Sequence, residues 1–311
     1  MKKRIRSGQF IKKAALVMLL SFGIPLSAES VSADVKVDGT VYEGDLDRAS
    51  AFEVMELVNA ARTKQGLQPL TMDLQLMQGA EKRAAELSAS FSHMRPDGSM
   101  CFSIMEGKDV YAYAENIAAG YFNPDMVMDG WMNSPGHYAN IMGDSYTTIG
   151  VGCFYKDGTR YWTQLFGYEQ SEVCTGMYRL YNPNSGEHFY TGSVNEKHTL
   201  VEQGWKDEAL GWVAPRTSSK PVYRLYNSNA GDHHYTQNKG ERNYLLRLGW
   251  SDEGIGWYSD SAERYPLYRQ YNPNASAGSH NYTTSKGEND WLAQNGWNAE
   301  GIGWYAVEAG K

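Results

Sequence analysis

Apolar residues recur at helical spacing early in the chain. Phe52, Met55, Leu57, Val58 and Ala61 share one face of a segment from Ala51 to Gln65, which predicts an amphipathic helix ended by Gly66. An extended connection, Leu67-Gln-Pro-Leu70, follows, and Thr71 or Asp73 supplies the side-chain oxygen that caps a second helix. That helix runs to about Ala89, with Leu76, Ala80, Ala84, Ala85 and Leu87 turned inward. Asn123-Pro-Asp125 opens a third helix leading into Trp131, and Ser134-Pro-Gly136 is expected to break it before His137. The period then changes to two. Tyr161, Thr163 and Leu165 alternate with Trp162, Gln164 and Phe166, after Ile149-Gly-Val-Gly152, as a closing strand pair. Helices around a short sheet predict an α+β sandwich over residues 51–170. Residues 34–50 are short, polar and glycine-containing, and read as a linker or N-terminal arm.

Residues 175–311 follow a different pattern, a threefold internal repeat. Tyr178-Arg-Leu-Tyr-Asn-Pro-Asn-Ser-Gly-Glu-His-Phe-Tyr-Thr191 returns as Tyr223-Arg-Leu-Tyr-Asn-Ser-Asn-Ala-Gly-Asp-His-His-Tyr-Thr236. It returns again from Tyr268 to Thr283 with a two-residue insertion. The period is 45 residues, and each copy closes on two Gly-Trp pairs: Trp205 and Trp212, Trp250 and Trp257, Trp297 and Trp304. One copy is too small to bury a core alone. Three copies closed around an axis bury a shared one, so the expected fold is all-β and a β-trefoil, with a three-bladed or other compact β-array as the alternative. A module closed on itself is expected to fold without the preceding domain.

The first 33 residues read as a secretory signal. Lys2, Lys3, Arg4, Arg6, Lys12 and Lys13 form a basic region before the apolar run Ala14–Leu26, and cleavage is expected after Ala33 or Ala28. Removing six basic residues and Glu29 takes the formal net charge from −7 to −12. An acidic surface disfavours nucleic acid and anionic wall polymers as nonspecific partners. No later stretch is apolar and long enough to span a membrane, so secretion is the expectation. Cys101, Cys153 and Cys174 are an odd number. They leave either one bridge and a free thiol or three free thiols, and no pair has metal-ligand spacing.

Three segments carry the chemistry: Phe91-Ser-His-Met-Arg-Pro-Asp-Gly98, Tyr113-Ala-Glu-Asn-Ile-Ala-Ala-Gly120 and Trp131-Met-Asn-Ser-Pro-Gly-His-Tyr-Ala-Asn-Ile-Met142. Each places one titratable residue, His93, Glu115 or His137, beside turn formers or small residues. In order and content these segments resemble the bacterial SCP-like branch of the CAP superfamily (cysteine-rich secretory proteins, antigen 5 and pathogenesis-related proteins). The resemblance runs from about Ala51 to Phe166 and implies an α-β-α sandwich with a cleft holding His93, Glu115 and His137. Ala114 departs from the family's usual glycine, and Ser134 stands where animal and plant members carry a second cleft glutamate. The repeat resembles a module appended to bacterial secreted proteins and carrying no assigned function.

Two imidazoles and a carboxylate suit a divalent ion such as Zn²⁺, with His93 and His137 as ligands. The same residues could instead tie loops together. A Ser-His hydrolase is disfavoured: Pro135 and Gly136 make Ser134 a turn residue, and Ser92 points away from its neighbour His93. Two functions follow. One is a non-enzymatic extracellular binding protein whose cleft takes a metal or a lipid and whose repeats hold cell-wall or host glycan. The other is a metal-assisted extracellular hydrolase with Glu115 as base, targeted by the repeats. His188, His233 and His280 share one repeat position and are either three equivalent ligand sites or histidines bonding their own turns. The repeated tryptophans read as core, and Tyr244 and Trp291 as exposed aromatics.

Overall fold

The computed structural model describes residues 34–275 and 277–310, so the expected secretory leader lies outside the described residues. The chain first forms a hairpin, β1 (Val35–Val37) and β2 (Thr40–Tyr42). Val35, Val37 and Tyr42 are buried in the cluster that includes Leu76 and Ala80, so this segment is a docked arm rather than a free linker. After β3 (Asp45–Leu46), Asp47 accepts from the Ser50 N–H and caps α1 (Arg48–Lys64). The helix starts before the apolar spacing does, because its first turn buries Arg48 against Glu81 at 2.6 Å. After β4 (Thr71–Met72), it is Asp73 that caps α2 (Leu74–Leu87), accepting from Gln75 and Leu76.

β5 (Ala114–Ala119), α3 (Pro124–Met132), α4 (Pro135–Ile141), β6 (Thr148–Lys156) and β7 (Thr159–Gly167) complete the first domain. Its sheet runs β3-β6-β7-β5, with β4 parallel to β6. The period-two pattern divides the sheet's faces. Phe154 and Leu165 face α2, whereas Ile149, Val151 and Trp162 face α1 and α3, giving three layers. Gly150 and Gly152 let α2 rest on β6: a Cβ there would lie 2.1 Å and 2.3 Å from the Leu76 and Ala80 backbones. α3 ends at Met132, so the third helix breaks before His137 as expected. Proline pre-sets the first helical turn, so Ser134-Pro-Gly136 opens α4 and puts His137 on a helix.

Each repeat builds one three-stranded antiparallel sheet and one helix. These are β8 (Cys174–Tyr181), β9 (His188–Thr191), α5 (Val194–Glu202) and β10 (Lys206–Pro215); then β11 (Pro221–Asn227), β12 (Asp232–Thr236), α6 (Lys239–Arg247) and β13 (Ser251–Tyr258); then β14 (Tyr265–Tyr271), β15 (His280–Thr283), α7 (Lys286–Gln294) and β16 (Asn298–Ala306). The first strand of each copy is the central one, and β17 (Glu308–Ala309) adds to the edge of β10. This corrects the all-β trefoil expectation. Ser193, Asn238 and Ser285 each cap a nine-residue helix, which the strand-rich flanks had concealed, and each copy keeps its own sheet. The three-bladed alternative is the nearer description.

Tyr190, Tyr235 and Tyr282 meet edge to face at 5.7–5.8 Å between ring centroids. Trp212, Trp257 and Trp304 meet at 5.3–5.9 Å. Buried phenols need partners. The Tyr190 hydroxyl accepts from the Tyr282 N–H at 2.9 Å, and the Tyr282 hydroxyl donates to the Tyr235 carbonyl at 2.9 Å. The second tryptophan of each copy is therefore core, as the sequence suggests, while Trp205, Trp250 and Trp297 are half-buried.

The described residues fall within one compact unit. Tyr178, Leu180, Phe189, Leu210, Val213 and Val307 lie in the same apolar cluster as Ala51, Phe52 and Val58. Arg48 donates to the Ala309 carbonyl at 2.7 Å, and Gln78 to Glu308 at 2.6 Å. The first repeat thus buries apolar surface against the first domain, which the repeats on their own would expose. All three cysteines are free and buried. Burial pushes their thiols up, Cys101 to about 12, which leaves them unreactive. Among the described residues no helix is long and apolar enough to cross a membrane, which says nothing of strands.

Candidate functional site

Four elements carry the residues of the candidate site. α2 supplies Arg83, β5 supplies Glu115, the loop after α2 supplies His93 and α4 supplies His137. Glu115 is buried, and both its oxygens are taken: Oε1 accepts from Arg83 Nε at 2.8 Å and Oε2 from His93 Nδ1 at 2.7 Å. Arg83 also donates to Glu86 at 2.6 Å and to the Ser92 carbonyl at 2.8 Å. Arg95 continues the chain, donating to Glu86 at 2.8 Å and to Asp38 at 2.5 Å. Burial works against the charge on Arg83, but its bonds to Glu115 and Glu86 prevail and hold it protonated more firmly than an exposed arginine.

This buried chain fixes the Arg95-Pro-Asp-Gly98 turn, closed by the Arg95 N–H to the Ser99 carbonyl at 2.8 Å. It also fixes the His93 ring. With Nδ1 bonded to Glu115, Nε2 lies on the far side of an imidazole whose side chain is 57% exposed. His137 is held by an amide ladder. Asn140 donates to Asn116 at 2.8 Å, and Asn116 donates to Gln164 at 2.9 Å and to the His137 carbonyl at 3.2 Å. Burial, and then the nearby charge of His93, lower the His137 pKa, so its imidazole stays neutral below the usual range.

The residues do not make a three-ligand metal cage. Among the described residues no group of three His, Cys, Asp or Glu side chains is arranged to hold an ion. Glu115 orients the His93 ring through its bond to Nδ1. Neither the His93 nor the His137 ring bonds a hydroxyl or thiol among the described residues. The Ser92 hydroxyl instead accepts from the Met94 N–H at 3.0 Å. Arg83 and Glu86 lie outside the segments singled out from the sequence, and Arg95, Asn116, Asn140 and Gln164 lie in them without an assigned role. The signal available for them was Arg83 and Glu86 on the inner face of an alanine-rich helix.

Residues 55–166 match the family model described as the cysteine-rich secretory protein family, CAP. Residues 55–166 are a CAP domain. Residues 176–307 match a family described as a domain of unknown function, DUF5648. The chain is 35% identical over 161 residues to the uncharacterized protein YkwD of Bacillus subtilis, covering 50% of this chain and 59% of that one. It is 31% identical over 125 residues to the uncharacterized membrane protein YlbC of Bacillus subtilis, covering 39% and 35%. The chain thus spans about three fifths and one third of these relatives' lengths. Among solved structures, a Bacillus anthracis extracellular protein containing an SCP domain is 25% identical, covers 40% of this chain and 41% of its own, and gives a TM-score of 0.36. An outer surface protein from Borrelia burgdorferi is 20% identical, covers 41% of this chain and 99% of its own, and gives 0.37.

Beyond the CAP domain, His188, His233 and His280 are not gathered at the axis, and His280 bonds its own turn, its Nδ1 lying 3.2 Å from the Ser279 hydroxyl. They belong to an ion-pair ring between sheets. Arg179, Arg224 and Arg269 each pair with a glutamate of their own sheet, Glu208, Glu253 or Glu300, at 2.7–2.9 Å. Each also pairs with a helix glutamate of the neighbouring copy, Glu288, Glu196 or Glu241, at 2.8–3.3 Å. The pair from Glu288 to Arg179 closes the ring from third copy to first. His188 and His280 lie 3.4 Å from Glu208 and Glu300, and His233 Nδ1 bonds Glu187 at 2.6 Å. Burial, then His234, push His280 down to about 3. Burial raises Glu208, but His188 and Arg179 hold it at about 2. The arginine and glutamates recur at equivalent positions in every copy, displaced in the third only by its two-residue insertion, which was the sequence signal for this ring.

Proposed function

We propose that this chain is an extracellular binding protein rather than an enzyme. Its CAP cleft takes a divalent ion through His93 Nε2 and His137, with the remaining coordination positions open to water or an anionic ligand. The observation that carries the reading is the 2.7 Å bond between Glu115 and His93 Nδ1. It selects the tautomer and aims the free nitrogen outward, and a carboxylate bonded to the other ring nitrogen raises the basicity of an imidazole ligand. Imidazole suits Zn²⁺, and His137 is already neutral, as a ligand must be. The hydrolase alternative is weaker, because both Glu115 oxygens already accept hydrogen bonds and, among the described residues, neither imidazole bonds a hydroxyl or thiol. Secretion is supported by the basic and apolar leader. Phe91, Met94 and Met100 are exposed on the loop that carries His93 and would meet the apolar part of a lipid bound there.

Calorimetry with Zn²⁺ tests the ion site. The wild-type chain is expected to bind one ion with modest affinity, His93→Ala and His137→Ala each to weaken it at least about tenfold, and the double variant to abolish it. Unchanged binding in the double variant would move the site elsewhere.

The repeat module is proposed to contact a neutral glycan. Tyr244 and Trp291 occupy one position in successive copies and are both exposed, on α6 and α7. Aromatic faces stack on sugar rings, and two linked weak sites reinforce each other. The full chain should be retained on purified peptidoglycan, and Tyr244→Ala with Trp291→Ala should release it. Equal retention of that double variant rejects these two residues as the contact.

A further inference from the structure

The three repeats are equivalent in sequence but not in what covers them. In the first copy, Tyr178 and Leu210 are cross-strand neighbours, and α1 of the CAP domain lies over them. They are 1% and 3% exposed. Phe52 of α1 packs so close that a Cβ at Gly176 would sit 2.8 Å from its ring. Beside it, Glu53 of α1 pairs with Lys197 of α5, which also pairs with Asp207 and lies 4.9 Å over the Tyr178 ring. An aromatic residue followed by a carboxylate thus docks on a Tyr–Leu step with a cation at its edge.

The second copy rebuilds that surface and leaves it open. Tyr223 pairs across the strands with Ile255. Arg242 takes the place of Lys197, lies 4.8 Å over the Tyr223 ring and pairs with Asp252, the counterpart of Asp207. Ile255 is 47% exposed. Where Lys197 has two carboxylate partners, Arg242 has one among the described residues. Ile255 and Tyr258 line a pocket of about 700 Å³ together with Met55 and Glu56 of α1, so the open surface adjoins that helix. The third copy keeps Tyr268 and Ile302 but has Asn289 and Ala299 in place of the cation and its acid, so it serves as an internal control.

We propose that the Tyr223–Ile255–Arg242 surface is a docking site for an amphipathic helix of a partner protein that presents an aromatic residue followed by a carboxylate. The apolar residue covers Ile255 and Tyr223, and the carboxylate becomes the second partner of Arg242. Charge-assisted hydrogen bonds to a partly buried guanidinium give the site its preference for acid over neutral helices. This inference is independent of the ion site and of the glycan contact at Tyr244 and Trp291.

The test uses the full chain with labelled isoleucine methyl groups and, as probe, a side-chain-crosslinked helical peptide of the α1 sequence, residues 48–64. The Ile255 methyl signal is expected to shift saturably while Ile302 stays in place. Glu53→Gln in the peptide should weaken binding about tenfold, the size of one charged hydrogen bond. Arg242→Glu in the protein should abolish the shift. Should that variant fold poorly, the peptide substitution still decides, since it leaves the protein untouched. An Ile255 signal that does not move, or that moves together with Ile302, overturns the proposal. So does a shift of Ile255 by chito-oligosaccharide with none by the peptide, which would make the surface a glycan site.

Discussion

Replacing Glu115 with alanine is expected to destabilise the CAP domain by about 3–5 kcal/mol, the usual result of stripping one partner from a buried ion pair. Arg83 has no exposed side-chain surface, and its Nε is committed to Glu115 at 2.8 Å. Without the carboxylate the guanidinium keeps Glu86 but loses its second acid, in a site that water does not reach. His93 loses its anchor at the same time. Glu115→Gln retains an acceptor for Arg83 and should cost less. Urea unfolding of the three proteins measures the difference. If Glu115→Ala unfolds at the wild-type midpoint, Glu115 is not the structural centre of the cleft, and a direct role in ligand chemistry regains ground. The result also guards against a false reading: lost ion binding in Glu115→Ala would report collapse of the loop, so His93 and His137 are the substitutions that address the site itself.

Trp212→Ala should cost a similar amount, about 3–5 kcal/mol, through the cavity it leaves. Trp212 is fully buried, with ring centroids 5.2 Å from Tyr190, 5.3 Å from Trp257 and 5.9 Å from Trp304, so one deletion opens all three sheets at the axis. The loss should not stay in the repeats. Tyr178 and Leu210 share a cluster with Phe52 and Val58, and Arg48 reaches the Ala309 carbonyl. Hydrogen exchange is therefore expected to show β5 and β9 losing protection together in the variant. Trp205→Ala, at a half-buried position, should cost less. A variant whose β9 exchanges freely while β5 stays protected would show that the two halves unfold separately.

Much of the cleft was legible as order along the chain. His93, Glu115 and His137 stood out because each is a lone titratable residue in a turn-rich or small-residue segment. The alternation at Tyr161–Phe166 assigned the correct residues to each face of the sheet. The role of Glu115 was not legible, because its second partner, Arg83, is 32 residues away on another element. Gly150 and Gly152 looked like ordinary strand residues, and only the approach of α2 explains them.

The repeats divide in the same way. The period, the number of copies and the burial of the second tryptophan in each could be read along the chain, because these follow from local pattern. The repeated arginine and glutamates were there too, but not the fact that each helix glutamate serves the next copy, since pairing across sheets depends on how the copies close. The nine-residue helices stayed hidden, because their caps sit among strand formers. Least of all could the chain's pattern say which of three matching Tyr–aliphatic steps is covered. Tyr178, Tyr223 and Tyr268 have nearly the same neighbours in sequence, and only the docking of α1 on the first makes it core and leaves the other two partly exposed. A periodic sequence specifies equivalent surfaces; burial is a property of the whole assembly, and the packing of one domain on the other breaks the symmetry.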